Sequence, residues 1–142
     1  MMPTETRKGE LCYLDHQFDP NEILNFVELP LFSRAWEKEL GLSVETDLWE
    51  LQAAIMARPQ AGTVVKGTES LRKIRFSPAT ANVGSRGGFR VLYVHVPRHA
   101  FVVLVYAYYK SRREDFDRAS IRYINEQIRR VESFLDSGRL MT

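Results

Sequence analysis

The stretch FRVLYVHV-PRHA-FVVLVYAYY, residues 89–109, decides the fold. Phe89–Val96 and Phe101–Tyr109 are rich in the β-branched and aromatic side chains that suit a pleated, packed surface. Four residues, Pro97 to Ala100, separate them. A link that short can only turn the chain back, so the two runs form an antiparallel hairpin. Phe101–Tyr109 is the most apolar run of the chain and is expected at the centre of a sheet. It falls well short of the ~20 apolar residues of a membrane span.

Upstream, Leu71–Phe76 (LRKIRF) alternates with period two and reads as a third strand. Ser77–Gly88, with Pro78, Gly84, Gly87 and Gly88, reads as the loop between them. Downstream, Ile121, Ile124, Ile128, Val131 and Leu135 step by three and four, the stripe of an amphipathic helix from about Arg118 to Leu135. Asp117 precedes it as N-cap. Toward the N-terminus, Ile23–Leu29 (ILNFVEL) reads as a strand. Pro30 can open a helix at its first position. Phe32, Ala35, Trp36 and Leu40 follow at helical spacing, and Gly41 supplies a stop. A second helix should start near Ser43 or Thr46, present Leu48, Leu51, Ile55 and Met56, and end before Pro59.

The expected order is β-α-α-β-β-β-α, an α+β fold. An N-terminal strand and αα-hairpin join a three-stranded antiparallel meander in one sheet, with an amphipathic C-terminal helix. The helices are expected as one layer on an antiparallel sheet. Residues 23–142 are expected as a single domain, with 1–22 as an extension of no sustained period.

The 142 residues are 44% hydrophobic and 27% charged, a globular composition. The opening MMPTETRKGE has no apolar core of a signal peptide. A single cysteine, Cys12, excludes an internal disulfide framework and a cysteine-rich zinc site, which points to a reducing, cytoplasmic setting. His95 and His99 have no third ligand at metal spacing, so no metal or other cofactor is expected. No Ser-His-Asp arrangement or phosphate-cradling glycine motif is signalled.

The net charge of +2 hides an asymmetry. Residues 1–65 carry five Lys/Arg against eleven Asp/Glu. Residues 66–98 carry seven, Lys66, Arg72, Lys73, Arg75, Arg86, Arg90 and Arg98, against Glu69 alone. A concentrated basic part suggests a surface that meets a polyanion.

Alternation along a strand gives this charge a direction. Arg72, Ile74 and Phe76 share the core side. Lys73 and Arg75 point together to the other face, about 7 Å apart. They are either two solvated cations on an open sheet face or the wall of an anion site that a phosphodiester would fit. Arg90, inside FRVLY, needs an anion or a distant carboxylate if buried. Lys110, Arg112 and Arg113 extend the basic surface past the last strand. Tyr93, Tyr106, Tyr108 and Tyr109 can stack on a nucleobase, but strand tyrosines also pack.

The segments GTVVKGTESLRKIRF, RGGFRVLYVHV and LVYAYYKSRREDF, followed by the amphipathic helix, resemble the RelE/ParE superfamily of bacterial toxins, and within it the HigB-like branch. The likeness runs from about Ile23 to Leu135. It implies the toxin of a type II toxin–antitoxin system. Such a toxin is an endoribonuclease that cuts messenger RNA on the ribosome and is neutralised by a cognate antitoxin, here expected to carry a helix-turn-helix. The resemblance implies that Lys73, Arg75, Arg90 and Tyr108 are catalytic. It adds Lys66, Arg72, Arg86, Tyr93, Lys110, Arg112 and Arg113 as RNA-binding. Phe116 stands near the place where some members have a tyrosine or histidine, so proton transfer would fall to Tyr108, Tyr109 or Lys110. A ParE-like gyrase inhibitor without nuclease activity and a non-catalytic nucleic-acid-binding domain are the alternatives.

Overall fold

A computed structural model of the chain describes residues 18–79, 88–110 and 117–138. Five strands form one sheet: β1 (Asn25–Glu28), β2 (Thr63–Val64), β3 (Arg72–Phe76), β4 (Phe89–Val96) and β5 (Phe101–Tyr109), in the order β1-β5-β4-β3-β2. The meander β3-β4-β5 is antiparallel, as expected. The hairpin turn is a short 3-10 segment, Pro97–His99, closed by Ala100 in the left-handed region at φ 56°.

Three expectations are corrected. β1 pairs with β5 in parallel, from Asn25 beside Phe101 to Glu28 beside Leu104, so the sheet is mixed. A two-residue strand, β2, pairs antiparallel with Arg72 and Lys73 at the far edge. β5 lies inside the sheet, but the middle strand is β4.

Helices cover both faces instead of one. Helix α1 (Pro30–Arg34) runs on as a π-helical turn, Ala35–Glu39, and α2 spans Asp47–Ala57. Phe32, Trp36, Leu48, Leu51 and Ile55 from these pack on Phe76, Phe89, Val91, Tyr93, Val102 and Leu104. Helix α3 (Arg118–Asp136) lays Ile124, Ile128, Val131 and Leu135 on the opposite face, against Leu92, Val94, Val96, Phe101, Val103 and Val105. Burying each of these side chains is worth roughly 1.5–3 kcal/mol before entropy is counted.

The ends of the helices follow from local chemistry. Pro30 opens α1 at its first turn. Gly41 takes φ +66°, a conformation that side-chain-bearing residues resist, and ends the run. The Trp36 indole donates to the Ser43 carbonyl at 2.9 Å, which fixes the turn into α2. The Ser43 Oγ accepts from the Asp47 N–H at 3.0 Å, and the Asp47 carboxylate accepts from the Ser43 N–H at 2.9 Å, a reciprocal cap. Asp117 caps α3 as read from sequence, accepting from the Ser120 N–H at 2.7 Å.

Candidate nucleic-acid cleft

Register places the candidate cations. Residues paired directly across adjacent strands share a face. Arg75 pairs with Arg90, and Arg90 pairs with Tyr108, so the three form a row across β3, β4 and β5. Lys73 pairs with Leu92, which pairs with Tyr106, in the next row of the same face. Helix α3 covers the part of this face around Leu92, Val94 and Val103. Lys73 and Arg75 are exposed and Arg90 is half-buried.

The outer edge of β3 is paired by β2 only as far as Lys73. Around that edge lies a cleft of about 520 Å³. Lys73, Arg75 and Arg90 line it from the sheet, and Arg58 lines it from the end of α2. Ala54, Ile55, Ala61 and Ile74 supply an apolar wall, and Thr63 a hydroxyl. The described lining holds four cations and no carboxylate, and none of the four has an ion-pair partner among the described residues. Arg90 makes one long contact, from Nη1 to the Phe89 carbonyl at 3.4 Å. Like charges set directly opposite on adjacent strands destabilise a sheet. An anion in the cleft would relieve this repulsion.

Arg58 is not among the residues that the sequence singles out. Its one signal there is isolation, since it is the one cation between Lys38 and Lys66. It stands immediately before the proline that closes α2.

Other candidates lie elsewhere. Arg72 sits on the opposite face, as its alternation with Lys73 implies, and its Nη1 donates to the Gly62 and Gln60 carbonyls at 2.6 and 3.1 Å. Tyr93 is on that face too. Its hydroxyl donates to the Pro59 carbonyl at 2.8 Å and accepts from the Gly62 N–H at 3.2 Å. Burial pushes the Tyr93 phenol above its ordinary value, against the opposing pull of the Gly62 N–H and of Arg72. Both residues clamp the loop that follows α2. Tyr108 is 5% exposed, stacks on Tyr106 with ring centroids 5.9 Å apart, and does not line the cleft. Tyr109 packs its ring on Phe89.

Lys66 is exposed on the turn after β2, and Lys110 is exposed beyond β5 with its backbone N–H on the Gly88 carbonyl. Neither lines the cleft. Arg86, Arg112, Arg113, Phe116 and Cys12 lie outside the described residues. Among the described residues no group of three His, Cys, Asp or Glu could hold a metal ion. No described helix is long and apolar enough to cross a membrane.

His95, half-buried behind the same loop, accepts at Nδ1 from the Gln60 amide at 2.7 Å. Burial, with the nearby Arg72 charge, holds its pKa below the ordinary value.

No family model matches the chain. Among solved structures, a double arginine-to-alanine mutant of the E. coli toxin RelE in the free state is similar. The TM-score is 0.45 at 15% identity, over 75% of this chain and 96% of that one. A likeness of that size says nothing about activity, for which the chemistry of the cleft is the better guide.

Proposed function

We propose that the protein is the toxin of a type II toxin–antitoxin system and acts as a ribosome-dependent endoribonuclease. The observation that carries this reading is the Arg75–Arg90 pair, opposed across two strands and joined by Lys73 in a cleft whose described lining has no carboxylate. The sequence resemblance to the HigB-like toxins supports it and supplies the substrate class.

In this reaction the 2′-hydroxyl of the substrate attacks the adjacent phosphorus. The P–O2′ bond forms and the P–O5′ bond breaks, leaving a 2′,3′-cyclic phosphate and a 5′-hydroxyl. The proton leaving O2′ passes to water, and water returns one to the group that protonates O5′, so the protons balance. The phosphorane between them carries extra negative charge. Guanidinium and ammonium groups already aimed into the cleft stabilise that charge, and preorganised charge of this kind usually lowers a barrier more than any other single effect. The ribosome would hold the message in line, which reduces what the protein itself must position. With Tyr108 buried outside the cleft, we assign proton delivery to the 5′-oxygen to the Lys73 ammonium. The partners of this reading are the ribosome with its message and a cognate antitoxin.

Expression should arrest growth, and primer extension on ribosome-bound message should show new 5′ ends. Arg75→Ala or Arg90→Ala should remove both effects in protein that still folds. Full toxicity in both folded variants would overturn the cleft. A second reading, nucleic-acid binding without catalysis, is favoured by the described lining holding no His, Tyr, Asp or Glu. It predicts salt-dependent binding with no 2′,3′-cyclic product. DNA breaks in place of message cuts would indicate gyrase as the target.

A further inference from the structure

We propose that Arg58 is a nucleic-acid-binding residue that holds the phosphate next to the one engaged by Lys73, Arg75 and Arg90. The assignment rests on the RNA-cleaving reading above and adds a second anion subsite to it.

Three observations place it. Arg58 lines the same cleft as the strand cations but comes from the other wall, at the end of α2, with Ala54 and Ile55 beside it. It has no carboxylate partner among the described residues. The backbone that carries it is held from both sides. The Arg58 N–H donates to the Ala54 and Ile55 carbonyls, and its own carbonyl accepts from the Ala61 N–H at 3.0 Å. Directly behind, Tyr93 and Arg72 grip Pro59, Gln60 and Gly62. Gly62 packs so closely on β3 that an added Cβ would stand 2.9 Å from Arg72 Cβ and 2.9 Å from Ile74 Cγ2.

A cation on a clamped backbone loses less freedom on binding than one on a loose loop, so its contact is worth more. Two cationic walls with apolar surface between them match a chain in which phosphates alternate with sugars and bases. A single free phosphate would need only the strand side. Arg58 also lies at a helix C-terminus, where a positive charge is favourable in its own right. The test therefore has to separate binding from helix stability.

The test uses the full chain and two uncleavable probes, a 2′-O-methyl dinucleotide with one phosphate and a 2′-O-methyl trinucleotide with two. Affinity is followed by NMR titration at several salt concentrations. The wild type should favour the trinucleotide by about tenfold, the weight of one charge-assisted contact. Arg58→Ala should abolish that preference and reduce the salt slope for the trinucleotide by about 0.7, the value for one lost single-strand phosphate contact. Arg58→Lys should keep part of the preference. Arg75→Ala should weaken both probes alike. A full trinucleotide preference in Arg58→Ala, with or without a lower melting temperature, would overturn the assignment while leaving the strand cleft standing. If neither Arg75→Ala nor Arg90→Ala weakens either probe, the cleft reading fails and the Arg58 subsite fails with it.

Discussion

Arg75 and Arg90 face each other across β3 and β4 with no carboxylate to separate them among the described residues. Two guanidinium groups in that relation repel, and the free protein bears the repulsion. Replacing either with glutamine should leave stability unchanged or raise it by roughly 0.2–1 kcal/mol, while activity is lost. Thermal melts read beside toxicity check this. A marked fall in melting temperature would show that the pair holds the fold together.

The Tyr93 hydroxyl joins β4 to the loop after α2 through two hydrogen bonds. Tyr93→Phe leaves the Pro59 carbonyl and the Gly62 N–H without it, at a cost of about 1–3 kcal/mol. Denaturant unfolding measures the loss. Amide exchange should quicken at Ala61 and Gly62 while the hairpin residues Val94 and Val103 stay protected. Equal quickening in both places would mean that Tyr93 supports the whole sheet and not the loop.

His95 gives the same loop a pH dependence. Burial holds its folded pKa below the unfolded value, so the unfolded chain binds the proton more readily. The contribution is complete above the unfolded value, ~6.5. It declines as pH falls below that toward the folded pKa. Protonation also turns Nδ1 from acceptor to donor against the Gln60 amide. His95→Gln should flatten the stability profile between about pH 5 and 7. Urea melts across that range are the measurement, and an unchanged slope would remove His95 as the cause.

Asp136 fastens the end of α3 to the β4–β5 turn. It lies 2.7 Å from His99 Nε2 and 3.1 Å from Arg98 Nη2. Its hydrogen bonds from His99 and Arg98 hold the carboxyl below its ordinary range. The tie is present above the unfolded carboxylate pKa, ~3.9, and is lost as pH falls through the lower folded value. Because the site is exposed, Asp136→Asn should shift overall stability little. It should loosen the last turn of α3, which amide exchange at Leu135 and Asp136 would report.

Much of the sheet is legible in the sequence because the signal is local. Phe89–Val96 and Phe101–Tyr109 match the observed strands at both ends, since a four-residue link leaves the chain one way to return. The α3 stripe and the Asp117 cap are equally local. The parallel β1–β5 pairing is not legible. It joins Asn25 to Phe101, and four residues of strand carry no mark of which partner they will find. The two helix layers do leave a signal. FVVLVYAYY does not alternate, and an uninterrupted apolar strand is one covered on both faces. At the site, period two separates Arg72 from Lys73 and Arg75 correctly. Arg58 escapes because its neighbours in the cleft are set by how α2 packs at the sheet edge, which no spacing along the chain encodes. The Tyr93 hydrogen bonds are not legible either, because a strand tyrosine looks the same in sequence whatever its hydroxyl meets, here the Pro59 carbonyl.

The parallel seam between the first and last strands also sets a timetable. Closing it means bringing together segments far apart in the chain, and the entropy of that long loop has to be met before the contact returns anything. During synthesis β1 emerges early and waits, while the strands bearing Arg75 and Arg90 come later and complete the basic cleft. Until Phe101–Tyr109 has been made, β1 therefore has no neighbouring strand to join.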